Sequence, residues 1–150
     1  MIDASLEKHG IKKKDKAPSG PGLFEVLEGK AEFAEAVKEI GAKLYLLPVG
    51  NTELNPNTLL ESPKMVEVLK QARSKYELVL INTDTLGASK DILKLSSVAE
   101  AVAIIVSEGK VRYQVLKLVL DELKKRNANI LGGIINSRTF PIPKFIYDRM

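Results

Sequence analysis

The stretch Glu77-Leu78-Val79-Leu80-Ile81 contains four consecutive apolar residues and runs directly into the polar segment Asn82-Thr83-Asp84-Thr85. An unbroken apolar run of this length is typical of a strand buried on both faces, because a half-exposed strand would alternate polar and apolar residues. Similar runs occur further out along the chain, at Lys43–Leu47, Ala101–Val106 and Ile130–Ile135. The sequence therefore predicts a parallel sheet.

Longer amphipathic stretches separate these strands and predict helices. Ser62-Pro63 is typical of a helix start, and apolar residues then follow on one helical face as far as Tyr76. Further helices are predicted over residues 22–27, 31–40, 91–98 and 110–126, with an extended connection over 48–63. Strands that alternate with helices predict an α/β fold, a mostly parallel sheet flanked by helices.

Composition excludes several kinds of chemistry. The 150 residues include no cysteine and one histidine, His9, so neither a thiolate nucleophile nor a multi-histidine metal site is expected. The formal net charge of +4 is too small to indicate a nucleic-acid partner. No apolar run approaches the roughly 18 residues of a membrane span. A hydrophobic fraction of 45% is ordinary for a folded globular chain.

Residues 1–150 are predicted to form a single domain, with a mobile basic loop at 8–21 and a C-terminal tail at 139–150. The loop carries five lysines but no Phe, Tyr or Trp for base stacking, so a solvated loop is favoured over a phosphate or lipid contact. His9 is interpreted as a loop residue. The tail contains Pro141-Ile142-Pro143 followed by Phe145, which favours a docking segment.

Polar residues follow each predicted strand, where ligands of parallel sheets bind. Among them, Asp3 and Asp84 could hold a magnesium ion, which often uses only one or two carboxylates. A phosphate would still need a cradle of backbone N–H groups. Neither Gly20-Pro21-Gly22 nor Gly132-Gly133 fits the Gly-x4-Gly-Lys-Ser/Thr pattern that supplies one.

The order and spacing of several motifs resemble the bacterial tyrosine kinase (BY-kinase) domain of capsule and exopolysaccharide assembly. The motifs are Pro48-Val49-Gly50, Asn55-Pro56, Leu59–Met65, Tyr76–Thr83, Asp91, Ala99-Glu100-Ala101, Gly109-Lys110, Ala128–Gly132 and Asn136. The resemblance implies a P-loop NTPase-like fold of the deviant Walker type, with ATP and Mg²⁺ as cofactors. In that family a glycine-rich phosphate loop and its strand come earlier than the residues matched here, so we expect a truncated domain that lacks the P-loop strand.

The resemblance also assigns site residues. Met1–Glu7 falls on the family's Asp-x-Asp-x-Arg motif, in which Asp3 corresponds to the catalytic and metal-binding aspartate and is expected to be vestigial. Ser5 and Glu7 replace the second aspartate and the arginine. Asn82 stands at the Walker B carboxylate, and because an amide brings no negative charge, the metal site of Asp3 and Asn82 is expected to be weakened.

Two further residues, Asp84 and Asn136, are candidates for the predicted site. Asp84 lies two residues beyond Asn82 and could compensate for the missing charge. Asn136 matches the family position near the adenine, so it is the predicted cofactor-binding residue. Asp91 is interpreted as a helix cap. Tyr147 is the only tyrosine of the tail, whereas the family's tail is rich in tyrosine.

These departures favour a degenerate, non-catalytic binding or regulatory module of polysaccharide biosynthesis, which binds neither ATP nor Mg²⁺ alone. By resemblance, its partner is a membrane-embedded polysaccharide chain-length regulator or its cytosolic segment, with self-association as a further option. Its place is then the cytoplasm, at the inner face of the cell membrane, with no nucleic acid bound.

Two alternatives stay open. The chain could be the C-terminal part of an active ATP-dependent protein-tyrosine kinase, completed by an upstream or partner segment that carries the P-loop. It could also be a phosphoacceptor receiver-like domain that uses Lys110. A receiver would need clustered acids after its first strand, whereas Asp3 stands alone there.

Overall fold

A computed structural model of the protein describes residues 1–5, 20–85 and 92–137. The chain divides into two compact units, Met1–Val98 and Ala99–Met150. The single-domain organisation predicted from the sequence stays a prediction. Most of the predicted basic loop, the whole tail, and the individual residues His9, Glu7, Asp91 and Tyr147 lie outside the described residues.

The first unit contains most of the elements. In chain order these are β1 (Ile2–Asp3), α1 (Leu23–Glu28), α2 (Phe33–Ala36), β2 (Lys38–Gly41), β3 (Leu44–Leu46), α3 (Pro56–Leu60), α4 (Pro63–Lys75), β4 (Ile81–Asn82) and α5 (Ile92–Val98). The second unit contains β5 (Val102–Ser107), α6 (Tyr113–Lys125) and β6 (Ile130–Asn136). None of the helices in the described ranges is both long enough and apolar enough to cross a membrane.

Strand β1 is hydrogen-bonded along both of its edges. On one edge it runs parallel to β4, and the N–H groups of Ile2 and Ala4 donate to the carbonyls of Leu80 and Asn82, each at 2.8 Å. On the other edge the Asp3 N–H donates to the carbonyl of Leu47 at 2.9 Å. A parallel bridge between Ile2 and Leu47 accompanies that bond. β1 is therefore the middle one of three parallel segments.

The predicted helix over residues 31–40 is wrong in its second half. Helix α2 ends at Ala36, and Lys38–Gly41 forms strand β2, which pairs antiparallel with β3. The chain reverses between these strands through Lys43, which has a left-handed backbone conformation with φ 59°. Pairing with β3 thus satisfies backbone groups that a longer helix would have satisfied internally.

The connection over residues 48–63 also differs from the extended segment that was predicted, because it contains α3. Asn55 caps this helix, since its side-chain oxygen accepts a hydrogen bond from the Asn57 N–H at 3.0 Å. Pro56 occupies the first turn, where a missing N–H costs nothing. Asn-Pro is thus the start of a helix here and not part of an extended loop.

The other predicted elements are present with shifted ends, with two corrections. The strand predicted over Glu77–Ile81 is limited to β4, because its partner β1 contains only two residues, and β3 pairs antiparallel with β2 instead of joining a parallel sheet. Helix α4 begins at Pro63 as predicted, and α6 begins at Tyr113, later than the predicted residue 110. In the second unit, β5 and β6 pair in parallel, with Ile104 opposite Gly133 and Ser107 opposite Asn136. The parallel pairs and the intervening helices confirm the α/β class.

A hydrophobic core lies in the first unit, where α1, α2, α3 and α4 contribute side chains that pack with β1. Its buried members are Ile2, Ala4, Leu23, Phe24, Leu27, Phe33, Ala36, Leu47, Leu59, Leu60, Met65, Val68, Leu69, Ala72 and Leu95. Val79 and Ile81 pack against this cluster from the segment that leads into β4. The core therefore fixes the two strands whose ends carry Asp3 and Asn82.

Truncating Met65 should destabilise the first unit far more than truncating its neighbour Val66. Met65 is 1% exposed and Val66 is 38% exposed on the same helix. Because Met65 is buried, Met65→Ala should cost about 2–5 kcal/mol in the free energy of unfolding, and Val66→Ala well under that. Urea denaturation followed by circular dichroism measures both. Equal costs would contradict the assignment of α4's buried face.

Candidate functional site

The ends of β1 and β4 bring Asp3 and Asn82 together. The two residues are direct partners in the parallel register, although 79 positions separate them in the sequence. The Asp3 side chain lies at a buried position, 4% exposed, whereas Asn82 is exposed. The Nδ2 of Asn82 donates a hydrogen bond to the Oδ1 of Asp3 at 3.1 Å. The predicted metal-site pair is thus in direct contact.

Ser5 completes the surroundings of the Asp3 carboxylate. Its hydroxyl donates to Oδ1 of Asp3 at 2.7 Å, and its backbone N–H donates to the same oxygen at 3.2 Å. Oδ1 therefore accepts three hydrogen bonds, two from Ser5 and one from Asn82. The sequence analysis treated Ser5 only as a replaced residue and missed this role. Its signal was the Asp-x-Ser spacing, at which a side-chain oxygen commonly accepts from the backbone two residues on.

Asn82 turns a hydrogen-bond donor toward the Asp3 carboxylate, whereas a cation site would need an oxygen atom there. An ionised carboxylate only accepts hydrogen bonds, so the amide that faces Asp3 must present its NH₂ group. A hard dication instead requires oxygen lone pairs. In residues 1–5, 20–85 and 92–137, no group of three acidic or histidine side chains could hold a metal ion. The donor set of Asp3 and Asn82, as it is arranged, does not fit Mg²⁺.

Asp84 and Asn136 lie at two other strand ends. Asp84 follows β4 by two residues and is half-buried, and its backbone carbonyl accepts from the Thr83 hydroxyl at 3.3 Å. Asn136 ends β6 and is exposed, with its side-chain oxygen accepting from the Ser137 N–H at 2.8 Å. The compensating role of Asp84 and the adenine-binding role of Asn136 stay predictions.

Gly22, in the segment Gly20-Pro21-Gly22, allows the close packing of the start of α1. A Cβ on Gly22 would lie 2.5 Å from both the Gly50 nitrogen and the Pro48 oxygen, so only glycine allows this close backbone approach. The first N–H groups of α1 already have acceptors, because Leu23 donates to Pro48 at 2.7 Å and Phe24 to Val49 at 3.1 Å. This helix start therefore does not offer the free N–H groups that a phosphate cradle uses.

Glu25 secures the same junction and was missed by the sequence analysis. One carboxylate oxygen accepts from the Gly22 N–H at 2.8 Å, and the other accepts from the Asn51 N–H at 3.0 Å. Glu25 therefore ties the start of α1 to the loop after Pro48. The signal in the sequence was a glutamate three residues after the helix start, the spacing of a capping box.

The second glycine pair lies within a strand. Gly132 and Gly133 are paired with Ala103 and Ile104 of β5 in the parallel ladder. Their backbone groups belong to a sheet and not to a phosphate-binding loop. This observation agrees with the mismatch to the Gly-x4-Gly-Lys-Ser/Thr pattern.

Two of the tyrosines pack against each other. The rings of Tyr45 and Tyr76 lie 5.0 Å apart between centroids, and Tyr76 also contacts the core. Burial raises the pKa of the Tyr76 hydroxyl above its ordinary value, and the neighbouring Tyr45 adds to the rise. These features agree with a packing role for the pair.

Comparisons with known proteins show which proteins this chain is similar to. No protein-family model matches the chain. Tyrosine-protein kinase YwqD of Bacillus subtilis is 29% identical over 139 residues, which are 92% of this chain and 59% of that protein. Succinoglycan biosynthesis transport protein ExoP of Rhizobium meliloti is 26% identical over 140 residues, 91% of this chain and 18% of that protein. The chain therefore spans only part of the length of these relatives.

A solved structure gives the same result. The crystal structure of the VpsO kinase domain aligns with a TM-score of 0.84 at 27% sequence identity, over 92% of this chain and 69% of that domain. These similarities confirm the resemblance inferred from the sequence motifs. The chain is a relative of the bacterial tyrosine kinase domains and has their P-loop NTPase-like α/β fold.

Removing the Asp3 carboxylate should cost more stability than removing the Asn82 amide. In Asp3→Ala the buried donors of Ser5 lose their acceptor, which costs about 1–3 kcal/mol. In Asn82→Ala the Oδ1 of Asp3 loses one donor but keeps the two from Ser5, so the cost is about 0.5–1.5 kcal/mol. Thermal unfolding of both variants measures the order.

Asp3→Asn serves as the matched control, because its amide oxygen still accepts from Ser5. We expect its loss to fall below that of Asp3→Ala. Hydrogen exchange of the Ala4 N–H, which donates to Asn82 across the strands, reports the local effect. An Asn82→Ala variant less stable than Asp3→Ala would contradict the assigned hydrogen bonds.

Proposed function

We propose that this chain is a kinase-domain-like module of capsular or exopolysaccharide biosynthesis that does not transfer phosphate by itself and works by binding. The observation that carries the proposal is the hydrogen bond from Asn82 to Asp3, at the two positions where the family resemblance requires carboxylates for magnesium. Because the amide presents a donor, the metal that would activate ATP lacks its ligands.

The described glycines support the same proposal. Gly22 is packed against the backbone of Gly50, and Gly132 and Gly133 belong to the β5–β6 ladder. Neither place offers the converging N–H groups that hold the phosphates of a nucleotide. Asp3 is then a vestigial catalytic residue, and ATP with Mg²⁺ is the family's cofactor pair but not one that this chain binds alone.

The names of two relatives support a partner for the proposed module. One of them is named a succinoglycan biosynthesis transport protein and another a tyrosine-protein kinase. We therefore propose that the module binds the cytosolic segment of a membrane-embedded polysaccharide chain-length regulator, at the cytoplasmic face of the membrane. Self-association is a second mode of binding, and nucleic acid is not a partner.

Isothermal titration of the chain with ATP and magnesium tests the proposal. We expect no binding heat and no incorporation of labelled phosphate, because the pair of carboxylates and a phosphate cradle are both lacking in the described residues. Micromolar affinity for ATP by this chain alone would overturn it. In that case titration of Asp3→Ala with ATP separates specific from unspecific binding, because the affinity for ATP falls in this variant only if the binding site includes Asp3.

The second candidate function is the C-terminal part of an active kinase, completed by a segment that carries the P-loop. One observation favours it. Leu78 and Leu80, on the side of the chain opposite the core residues Val79 and Ile81, are 72% and 57% exposed. Parallel strands are normally covered on both faces, and burying a leucine contributes roughly 1.5–3 kcal/mol.

The DNA immediately upstream separates the two functions. An in-frame run encoding Gly-x4-Gly-Lys-Ser/Thr favours the enzyme, and its absence favours the binding module. If such a segment is found, co-expression with this chain should restore ATP binding. Replacing both Leu78 and Leu80 by lysine should abolish that recovery, whereas the same change at exposed Leu54 should not. Recovery that survives the double replacement would contradict a role for this face.

A further inference from the structure

The strand ends at Asp3 and Asn82 form a junction that the proposed function does not explain fully. β1 and β4 pair only over Ile2–Ile81 and Asp3–Asn82, so their ladder ends at this point. Beyond the backbone, the bond from Asn82 Nδ2 to Asp3 Oδ1 is a side-chain link between the two strands. The two side chains therefore continue the connection where the ladder stops.

Three donors converge on one oxygen of this junction. Oδ1 of Asp3 accepts from the Ser5 hydroxyl, the Ser5 N–H and the Asn82 amide, at 2.7, 3.2 and 3.1 Å. These hydrogen bonds stabilise the negative charge of the buried carboxylate. In a cation site the same charge would be met by the metal, and the neighbouring side chain would present an oxygen.

We infer that the Asn82 amide takes the place of a divalent cation at the ends of β1 and β4, and that the single change Asn82→Asp makes this junction a divalent-cation site. The inference deepens the proposed function, since it names the residue that excludes the metal. It concerns only the residues of this chain and involves no nucleotide.

The chemistry of the variant follows from the geometry. A carboxylate in place of the Asn82 amide puts two negative groups at about hydrogen-bond distance, and their repulsion opposes the pairing of the strand ends. A dication between them removes the repulsion. Because Asn82 is exposed, the ion can enter from solvent and keep several waters, as magnesium does.

Thermal unfolding with and without magnesium chloride, in the absence of nucleotide, tests the inference. For the wild-type chain we expect no change in Tm when magnesium replaces a chelator. Asn82→Asp should unfold at a lower temperature than wild type in the chelator and gain about 2–4 °C on addition of millimolar magnesium. The matched control is Asn127→Asp, which makes the same chemical change at an exposed position of the second unit and should show no magnesium response.

A second measurement does not depend on the folding of the variant. Manganese added to the labelled wild-type chain should leave the amide NMR signals of Ala4 and Ser5 unbroadened, because Asn82 excludes the ion. Broadening of those signals, a magnesium response of the wild type, or a folded Asn82→Asp chain without any response would each overturn the inference. An Asn82→Asp chain that folds only when magnesium is present would support it.

The outcomes separate this inference from the proposed function. ATP binding by the wild-type chain would overturn the proposed function and leave the inference standing, since neither measurement above contains nucleotide. A folded Asn82→Asp chain without a magnesium response would overturn the inference alone. A magnesium response of the wild type in the absence of ATP would overturn the inference and also remove the observation that carries the proposed function.

Discussion

The pairing of β1 on both edges is the constraint on which the rest of the site depends. This strand contains only Ile2 and Asp3, yet its backbone exchanges hydrogen bonds with Leu47 on one side and with the Leu80–Asn82 segment on the other. Two residues cannot hold a position by their own conformational preference. Core packing of Ile2 and Ala4, both nearly inaccessible to solvent, adds the remaining restraint. Asp3 is therefore fixed between two buried neighbours.

From that restraint the properties of the site follow in order. The parallel register puts Asp3 opposite Asn82, and the side-chain oxygen of a buried carboxylate then takes whatever donors lie near it. Ser5 and Asn82 supply those donors. Because hydrogen bonds stabilise the Asp3 carboxylate, the junction needs no metal for its stability. This is the physical basis for proposing a module that binds partners without transferring phosphate.

The sequence predicts the parts of the fold that local patterns determine. Ser62-Pro63 marks the start of α4, and the apolar run of β5 predicts a parallel strand that the structure contains. The expected burial of that strand is wrong outside Ile104, since Ile105 is 66% exposed. Residues 31–40 were misjudged because Phe33, Val37 and Ile40 have helical spacing, whereas pairing with β3 decides the conformation of Lys38–Gly41. Tertiary pairing of that kind leaves no trace in a short window of sequence.

The site shows the same division. An amide at position 82 is visible in the sequence, and its consequence for charge could be predicted from chemistry alone. The hydrogen bond from Asn82 to Asp3 could not, because it depends on the register of strands 79 residues apart. The two from Ser5 are local, and the Asp-x-Ser spacing was their signal. Glu25 was missed for a related reason, since its second acceptor role involves the distant Asn51.

The most direct measurement is a high-resolution crystal structure of the wild-type chain grown with magnesium and ATP. We expect Nδ2 of Asn82 to stay within hydrogen-bond distance of Oδ1 of Asp3, with no ion in contact with either side chain. A magnesium ion on the Asp3 carboxylate, with the Asn82 amide turned to present its oxygen, would contradict the account.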